Sequence, residues 1–198
     1  NEIKFLKKAL DTNWIAPMGP HLDEFEDEVR RYVNRSFSLG LSSGTAALHL
    51  AMKVLNIKKG DYVFCSDLTF VASANSIKYV DAIPIFIDSD YSSWNMCINS
   101  LEKAFKIYQP KAVLITDIYG QSANYSEILK LCKEYNTPII EDSAESLGAV
   151  YKNKKCGSFG EISILSFNGN KIITTSGGGM ILSNEERYIN LAKKLSSQ

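Results

Sequence analysis

Residues 111–142 read KAVLITDIYGQSANYSEILKLCKEYNTPIIED and contain the pattern of a strand, a helix and a second strand. The runs KAVLIT (111–116) and TPIIED (137–142) are short and apolar on both faces, which is typical of strands buried in a parallel sheet. Between them, residues 124–135 have the apolar spacing of an amphipathic helix. Two parallel strands joined by a helix form a βαβ unit, so this segment predicts an α/β fold.

The same alternation extends along most of the chain. Further strands are predicted at 37–41, 61–66 and 83–88, and further helices at 44–55, 70–80 and 99–108. After residue 142 the pattern changes, because the strands EISILSF (161–167) and GGMILS (178–183) are separated by a glycine-rich turn instead of a helix. The sequence therefore predicts one open, mostly parallel sheet with helices on both faces.

Composition excludes several classes of function. The 198 residues are 45% hydrophobic and 22% charged, and 22 basic residues balance 22 acidic ones. Binding to nucleic acid or to an anionic membrane needs a concentrated basic face, so neither partner is expected. The apolar runs are shorter than the roughly 20 residues of a membrane-spanning helix.

The 4 cysteines are far apart and form no CxxC pair. Such spacing predicts free thiols in a cytoplasmic protein, with no metal site.

The first candidate site follows strand 37–41, where the segment Ser42-Ser43-Gly44-Thr45 opens a helix. Backbone N–H groups and the helix dipole favour a phosphate at such a position, and Gly44 lets the backbone approach a ligand closely. The segment differs from the GxGxxG and GxxxxGK fingerprints of dinucleotide and nucleoside-triphosphate sites. An ordinary capped turn between strand and helix is the alternative.

The second candidate is the pair Glu141-Asp142 at the end of the apolar strand TPII. A buried carboxylate needs a cationic or N–H partner to remain ionised. A protonated pyridine nitrogen is one such partner, and its protonation makes pyridoxal phosphate (PLP) an electron sink. The alternative is that the carboxylate only caps the turn that follows, SAESLG (143–148).

The third candidate is Lys171, which lies between strand 161–167 and the apolar, glycine-rich segment 172–180. Desolvation there would favour the neutral amine that forms imines. A solvated surface lysine is the alternative for this residue alone. However, all three candidates follow predicted strands, and ligands of α/β sheets gather at the carboxyl ends of strands. Together they indicate one site, although spacing alone does not name the cofactor.

Six segments carry a resemblance to a known family. They are WIAPMGPHLDEFE (14–26), LSSGTAALHLA (41–51), DLTFVASANSI (67–77), YGQSANYSEI (119–128), EDSAESLGAVYKNKKCGSFGEISILSFNGNK (141–171) and TTSGGGMIL (174–182). In this order they resemble the DegT/DnrJ/EryC1/StrS family of PLP-dependent nucleotide-sugar aminotransferases. The resemblance implies the fold of a type I PLP-dependent transferase. It also implies that residues 1–198 are the large, PLP-binding domain, with a smaller carboxyl-terminal domain outside them.

The resemblance also implies roles for individual residues. Lys171 would attach the cofactor covalently and transfer the proton, and Asp142 would pair with the pyridine nitrogen. The remaining cofactor contacts would be Glu145 near the hydroxyl edge of the ring, Phe70 over the ring, and Gly44, Thr45 and Ser166 at the phosphate. Asn168 and Asn170, which flank Lys171, would be neighbours of the sugar or the cofactor.

The reaction implied by the resemblance is the transfer of an amino group from an amino acid to a nucleotide-linked keto sugar. Glutamate is the expected donor, and a UDP-linked 4-keto-6-deoxy sugar for bacterial surface glycans is the expected acceptor. A homodimer with a shared active site is also implied, and the loop with Trp14 and Ile15 would lie near the subunit interface.

Three positions depart from the commoner family pattern. Asn168 and Asp117 stand where many members have histidine, and Glu145 stands where many have glutamine. Lys171 is present, which argues against the dehydratase branch of the family, where histidine replaces this lysine. Two alternatives remain: a nucleotide-binding oxidoreductase with the same βα alternation, and a non-catalytic protein that uses the PLP fold for binding or regulation.

Overall fold

A computed structural model of the chain describes residues 2–14 and 16–197. The predicted strands and helices are all present, most of them with slightly shorter bounds. In chain order the elements are α1 (Glu2–Asp11), α2 (Pro20–Val33), β1 (Phe37–Leu41), α3 (Gly44–Val54), β2 (Tyr62–Ser66), α4 (Ala72–Lys78), β3 (Ile83–Ile87), α5 (Ile98–Phe105), β4 (Ala112–Thr116), α6 (Tyr125–Glu134), β5 (Ile139–Asp142), β6 (Val150–Tyr151), β7 (Lys154–Lys155), β8 (Ile162–Ser166), β9 (Gly179–Ser183) and α7 (Glu186–Ser197).

The main sheet has 7 strands in the order β1-β9-β8-β5-β4-β2-β3. Strand β9 is antiparallel to its neighbours β1 and β8, whereas the other pairs of the sheet are parallel. The predicted mostly parallel α/β sheet is therefore confirmed. Strand β1 lies at the edge beside β9, which differs from the 3-2-1-4-5-6 order of dinucleotide-binding sheets. The topology thus gives no support to the oxidoreductase alternative.

Helices cover both faces of the sheet, as predicted. On one face, side chains of α3, α4 and α7 form a core with apolar residues of the central strands. On the other face, α5 and α6 form a second core, and α2 packs against β8 and β9 in a third. The strand pleat separates these layers, since Ile140 contributes to the first core and its neighbour Ile139 to the second. Within residues 2–14 and 16–197, no helix combines the length and the apolar character that crossing a membrane requires.

A small hairpin of β6 and β7 follows β5 and was not predicted from the sequence. Its turn residues Lys152 and Asn153 both have positive φ, 47° and 67°. That geometry is typical of the two-residue turns that suit the twist of antiparallel strands. Each strand has only two residues, which is too short for an alternating pattern to be visible in the sequence.

The start of β9 lies directly against the start of α3. A Cβ atom at Gly179, the first residue of β9, would overlap the backbone of Ser43 and Gly44. Only glycine allows this close approach. The glycine-rich turn between β8 and β9 therefore has a steric cause: it lets the returning strand pass beside the amino terminus of α3.

We expect Gly179→Ala to destabilise the protein by about 2 kcal/mol or more, because the added methyl group forces Ser43 and Gly44 to move. Gly177→Ala is the matched control, since a Cβ at Gly177 would have its nearest neighbour, Ser42 O, at 3.9 Å. Urea unfolding of both variants measures the difference. Equal midpoints for the two variants would contradict the steric explanation.

Candidate active site

The predicted site residues all lie at one edge of the sheet. Strands β1, β2, β4, β5 and β8 end at this edge and β9 begins there. The residues that follow these strand ends are Gly44 and Thr45 after β1, Phe70 after β2, Asp142 and Glu145 at and after β5, and Ser166, Asn168, Asn170 and Lys171 at and after β8. Segments that are distant in sequence are thus brought to a single edge, where α/β proteins bind ligands.

The predicted phosphate site is formed where α3 begins beside the end of β8. Gly44 and Ser166 are neighbours, since a Cβ at Gly44 would lie 3.0 Å from the Ser166 Cβ. Ser43 caps α3 by accepting a hydrogen bond from the Ala46 N–H at 3.1 Å, and Thr45 lies in the first helical turn. A helix amino terminus, a serine hydroxyl and a glycine that leaves space are together suited to a phosphate group.

Asp142 is the last residue of β5 and is only 4% exposed. Its carboxylate accepts hydrogen bonds from Ser73 Oγ at 2.8 Å and from the Ala144 N–H at 3.2 Å. Burial raises the pKa of Asp142 to about 6, although both hydrogen bonds and the charge of Lys171 act in the opposite direction. Because burial disfavours the charge of Asp142, a cation beside this carboxylate would interact favourably with it and lower its pKa.

Lys171 and Glu145 form an ion pair at the same edge. Lys171 Nζ lies 3.5 Å from Glu145 Oε1, and the two side chains are 14% and 26% exposed. The other carboxylate oxygen of Glu145 accepts a hydrogen bond from the Tyr119 N–H at 2.7 Å. Tyr119 has φ 52° and ψ 27°, a left-handed conformation that few non-glycine residues adopt. The turn after β4 is therefore shaped so that its backbone holds Glu145 beside the lysine.

A chain of hydroxyl groups supports Asp142 and was missed in the sequence. Ser73 Oγ, which donates to Asp142, lies 2.8 Å from Thr69 Oγ1, and Thr69 Oγ1 lies 2.8 Å from Thr116 Oγ1. Phe70 lies between Thr69 and Ser73 along the chain, and its ring is 67% exposed. The available signal was the four-residue spacing of Thr69 and Ser73, which places both hydroxyls on one side of a helical turn.

Asn168 and Asn170 are exposed in the turn that leads to Lys171. Asn168 Nδ2 donates to Asn170 Oδ1 at 3.0 Å, and the Asn168 carbonyl accepts from the Lys171 N–H at 3.0 Å. These contacts shape the turn itself. A role for the two amides in binding the sugar or the cofactor stays a prediction.

Glu141 belongs to the structural core and not to the site. Its side chain is 0% exposed and lies beside Arg35, with Arg35 Nη2 at 3.7 Å from Glu141 Oε2. It accepts hydrogen bonds from the backbone N–H groups of Gly157, Phe159 and Gly160 and from the hydroxyls of Ser143 and Ser163. The strand pleat points Glu141 and Asp142 to opposite faces, so only one of the two acidic residues is available at the site.

Asp117, Glu141 and Cys156 place potential ligand atoms within 4.8 Å of one another. However, both carboxylates already accept several hydrogen bonds from the protein. Burial also raises the pKa of the Cys156 thiol to about 12, whereas metal ligation needs the thiolate. The donor set is that of a buried hydrogen-bond network, and it carries no argument for a metal ion.

Two cavities among the described residues lie away from this site. One of about 390 Å³ is bordered by Ile139 and Glu161, next to the starts of β5 and β8, at the opposite edge of the sheet. Another, of about 200 Å³, lies between α5 and α6. Neither contains the lysine, the Asp142 carboxylate or the phosphate site. The candidate site is therefore identified by its chemistry and not by its concavity.

The loop predicted near the site begins with Trp14. Its ring lies against Gly19, where a Cβ atom would come within 2.7 Å of the indole, and the side chain is 48% exposed. Ile15 lies outside the described residues.

The donor set at the sheet edge fits PLP. A half-buried primary amine at Lys171, a buried carboxylate at Asp142 and the Gly44–Ser166 site match the aldehyde, the pyridine nitrogen and the phosphate of this cofactor.

Comparison with known proteins agrees with this assignment. The sequence profile of the DegT/DnrJ/EryC1/StrS aminotransferase family matches residues 1–198. The chain is 50% identical to EpsN of Bacillus subtilis (strain 168), named as a candidate pyridoxal phosphate-dependent aminotransferase, over 100% of this chain and 52% of EpsN. It is 40% identical to the GDP-perosamine synthase of Escherichia coli O157:H7, over 93% of this chain and 50% of the synthase. The chain thus spans about half the length of these relatives.

Solved structures support the fold. An aminotransferase from Psychrobacter cryohalolentis superposes with a TM-score of 0.91 at 30% identity, covering 97% of this chain and 49% of that one. The candidate sugar aminotransferase Spr1654 of Streptococcus pneumoniae, in its PMP-form, superposes with a TM-score of 0.90 at 28% identity, covering 98% of this chain and 54% of that one.

The aminotransferases of this family depend on PLP, and Spr1654 has also been solved in a PLP-form. The predictions of fold class, family and cofactor are therefore confirmed. The match over the full sequence and the geometry at the sheet edge lead to the same conclusion: the chain belongs to the DegT/DnrJ/EryC1/StrS aminotransferase family.

Proposed function

We propose that this chain is the PLP-binding part of an aminotransferase that moves an amino group from an amino acid to a nucleotide-linked keto sugar. The observation that carries the proposal is the convergence of Lys171, Asp142 and the Gly44–Ser166 phosphate site at one sheet edge. Each of the three groups has an ordinary structural explanation when considered alone. Their common location is what a PLP enzyme requires.

In the proposed reaction PLP supplies the stabilisation of negative charge on carbon. Lys171 is the residue that attaches the cofactor and then accepts and returns the proton at the reacting carbon. Asp142 stays ionised against a positive pyridine nitrogen, and Ser73 orients its carboxylate through the 2.8 Å hydrogen bond. Gly44, Thr45 and Ser166 hold the phosphate.

Glu145, Phe70 and the two asparagines complete the proposed site. Glu145 lies 3.5 Å from Lys171 and would contact the hydroxyl edge of the ring. Phe70 presents an exposed ring that could stack on the cofactor, which contributes about 1 kcal/mol beyond simple burial. Asn168 and Asn170, exposed in the turn before Lys171, are proposed neighbours of the sugar.

The proposed acceptor is a UDP-linked 4-keto-6-deoxy sugar used for bacterial surface glycans, and the proposed donor is glutamate. A Campylobacter jejuni relative, 37% identical over 100% of this chain and 52% of its own length, is named a UDP-4-amino-4,6-dideoxy-N-acetyl-beta-L-altrosamine transaminase. The GDP-perosamine synthases support a GDP-linked sugar instead. Both names support an amino sugar carried on a nucleotide.

We also propose a homodimer in which the active site is shared, with the smaller carboxyl-terminal domain outside these 198 residues. Apolar side chains beside the site support this, since Phe70, Tyr119 and Ile172 are 67%, 75% and 78% exposed. Water must be excluded during the reaction, so a further surface has to cover them. The cytoplasm is the proposed location, because free cysteines at 65, 97, 132 and 156 suit a reducing compartment.

Borohydride reduction of the PLP-loaded protein should leave a phosphopyridoxyl group on Lys171, because this amine is the one beside Asp142 and Glu145. Peptide mass spectrometry locates the adduct. Lys171→Ala should abolish it, whereas Lys155→Ala, at a lysine that lies over the ring of Tyr32, should leave it in place. A folded wild type without an adduct on Lys171 would favour the alternative of a non-catalytic PLP-fold binding protein.

The intact enzyme should convert keto sugars linked to UDP, with glutamate as donor, faster than the GDP-linked equivalents. Chromatography and mass spectrometry of the sugar product measure both rates, with aspartate and alanine as comparison donors. A preference for GDP-linked sugars would correct the nucleotide and leave the reaction class unchanged. Absence of turnover with every keto sugar would contradict the proposed reaction.

Asp142→Asn should stabilise the protein once the cofactor has been removed. The folded pKa of Asp142 is about 6, whereas an aspartate in an unfolded chain titrates near ~4. The folded state therefore binds more protons in this interval, and the free energy of unfolding falls as pH rises from about 4 to about 6. Asparagine has no carboxyl group to ionise, so the free energy of unfolding of the variant does not fall in this interval. We expect the variant to be about 1–3 kcal/mol more stable than the wild type at pH 8 and no more stable below pH 4.

Urea unfolding of cofactor-free protein at both pH values measures this effect. Asp67→Asn is the control, because Asp67 is exposed at the same sheet edge and should show no gain. A variant Asp142→Asn that is equally stable or less stable at pH 8 would show that the charge of Asp142 is not costly in the folded protein.

A further inference from the structure

Asp117 is a fully buried carboxylate in the turn after β4, outside the groups assigned to the reaction. Its Oδ1 atom accepts hydrogen bonds from the Ala123 N–H and from Tyr125 OH, both at 2.9 Å. Its Oδ2 atom accepts from Ser146 Oγ at 2.9 Å. Ser143 Oγ shares its single proton between Glu141 Oε1 at 3.1 Å and Asp117 Oδ2 at 3.3 Å. The carboxylate thus links the turn after β4 to the segment after β5.

The two serines that Asp117 binds stand on either side of Glu145. The segment 143–146 is therefore held to Asp117 at Ser146 and to both buried carboxylates, Glu141 and Asp117, at Ser143. Glu145 projects from it towards Lys171 Nζ at 3.5 Å. The turn that carries Asp117 also supplies the Tyr119 N–H that donates to Glu145. The backbone joins the same segments, because the Asp117 N–H donates to the Asp142 carbonyl at 3.1 Å. Asp117 is connected in this way to both carboxylates of the site.

The burial of Asp117 as a charged group opposes folding. Burial, and after it the charge of Glu141, together raise the pKa of Asp117 to about 6. The ionisable groups that face it are Glu141, Tyr125 and Cys156, and none of them supplies a positive charge. Apolar or neutral side chains often replace buried charges without loss of stability, so a carboxylate at this position points to a positioning role.

We propose that Asp117 is a positioning residue that fixes Glu145 beside Lys171, chiefly by holding the hydroxyl of Ser146. The inference rests on the proposed function, in which Lys171 and Glu145 contact the cofactor. Asp117 itself touches neither group. It acts through the two serines and through the shape of the turn at Tyr119.

Ser146→Ala and Ser163→Ala provide a matched pair of variants. Both serines are buried, and each donates one hydrogen bond to a buried carboxylate: Ser146 to Asp117 at 2.9 Å and Ser163 to Glu141 at 2.8 Å. Ser163 Oγ also accepts a hydrogen bond from Arg35 Nη2 at 2.6 Å, so Ser163→Ala disturbs the buried network at least as much as Ser146→Ala. Only Ser146 belongs to the segment that carries Glu145, so the pair separates positioning from general stability.

The first measurement needs no cofactor. Acetic anhydride acylates amines that it can reach, and Lys171, whose side chain is 14% exposed, is held at 3.5 Å from Glu145. In the intact protein without PLP, Ser146→Ala should raise the acylation rate of Lys171 about two- to fivefold relative to that of Lys155. This range corresponds to loosening one partly exposed ion pair, between Lys171 and Glu145. Ser163→Ala should leave this ratio unchanged. Peptide mass spectrometry measures both lysines in one sample.

The second measurement uses the PLP-loaded enzyme. Ser146→Ala should lower kcat about tenfold, because a small displacement of a reacting group is costly, while the Lys171 adduct still forms. Ser163→Ala should lower the melting temperature at least as much as Ser146→Ala does, without this loss of kcat. Asp117→Asn, which keeps the shape but not the charge, should reduce kcat at least as much as Ser146→Ala.

Equal acylation ratios and equal kcat values for the two serine variants would overturn the positioning role and leave Asp117 as a structural residue. If the wild type forms no adduct on Lys171, the proposed function fails. The acylation ratios still decide whether Asp117 positions Glu145, because that comparison does not depend on the cofactor.

Discussion

Two consecutive carboxylates are buried at the end of β5, and the strand pleat points them to opposite faces of the sheet. Glu141 and Asp142 are 0% and 4% exposed. Removing an ionised carboxylate from water costs several kcal/mol unless hydrogen bonds or a cation replace the solvent. How each of the two charges is satisfied determines which parts of the molecule are structural and which are available for chemistry.

The two carboxylates are satisfied to different degrees. Glu141 receives three backbone N–H groups, two hydroxyls and the nearby guanidinium of Arg35. That arrangement fixes the loop between β7 and β8 against α2 and leaves little capacity for a ligand. Asp142 receives one hydroxyl and one backbone N–H, and burial leaves its pKa raised to about 6. Asp142 is therefore the carboxylate that gains most from an external cation.

The local features of this architecture could be predicted from the sequence. Short apolar runs identified the strands, and the glycine-rich turn before Met180 indicated that β9 returns without a helix. Lys171, Asp142 and Gly44 could be predicted as site residues because strand ends can be recognised locally and ligand sites of α/β sheets lie at those ends. The family resemblance supplied the identity of the cofactor, which spacing alone did not provide.

Other features depend on contacts that leave no local pattern. The position of β1 at the sheet edge follows from its pairing with β9, a strand far away in sequence. Glu145 is held by the backbone N–H of Tyr119, and every residue except proline has such a group, so no residue type signals it. For Ser73 the spacing from Thr69 was a weak signal, because a serine near the start of a helix is usually a cap, and only the folded chain brings it to Asp142.

The sheet edge that carries the polar site residues also exposes apolar side chains. A functional site at this edge explains both features. Folding alone would favour a neutral group at Asp142 and polar groups at Phe70, Tyr119 and Ile172, which are 67%, 75% and 78% exposed. Features that oppose stability at one location are typical of functional sites. A cationic ligand would satisfy the carboxylate, whereas only a second apolar surface would bury the three side chains. For the proposed transfer of an amino group, the described residues thus supply the reacting groups, and the exclusion of water depends on a surface that packs over this edge.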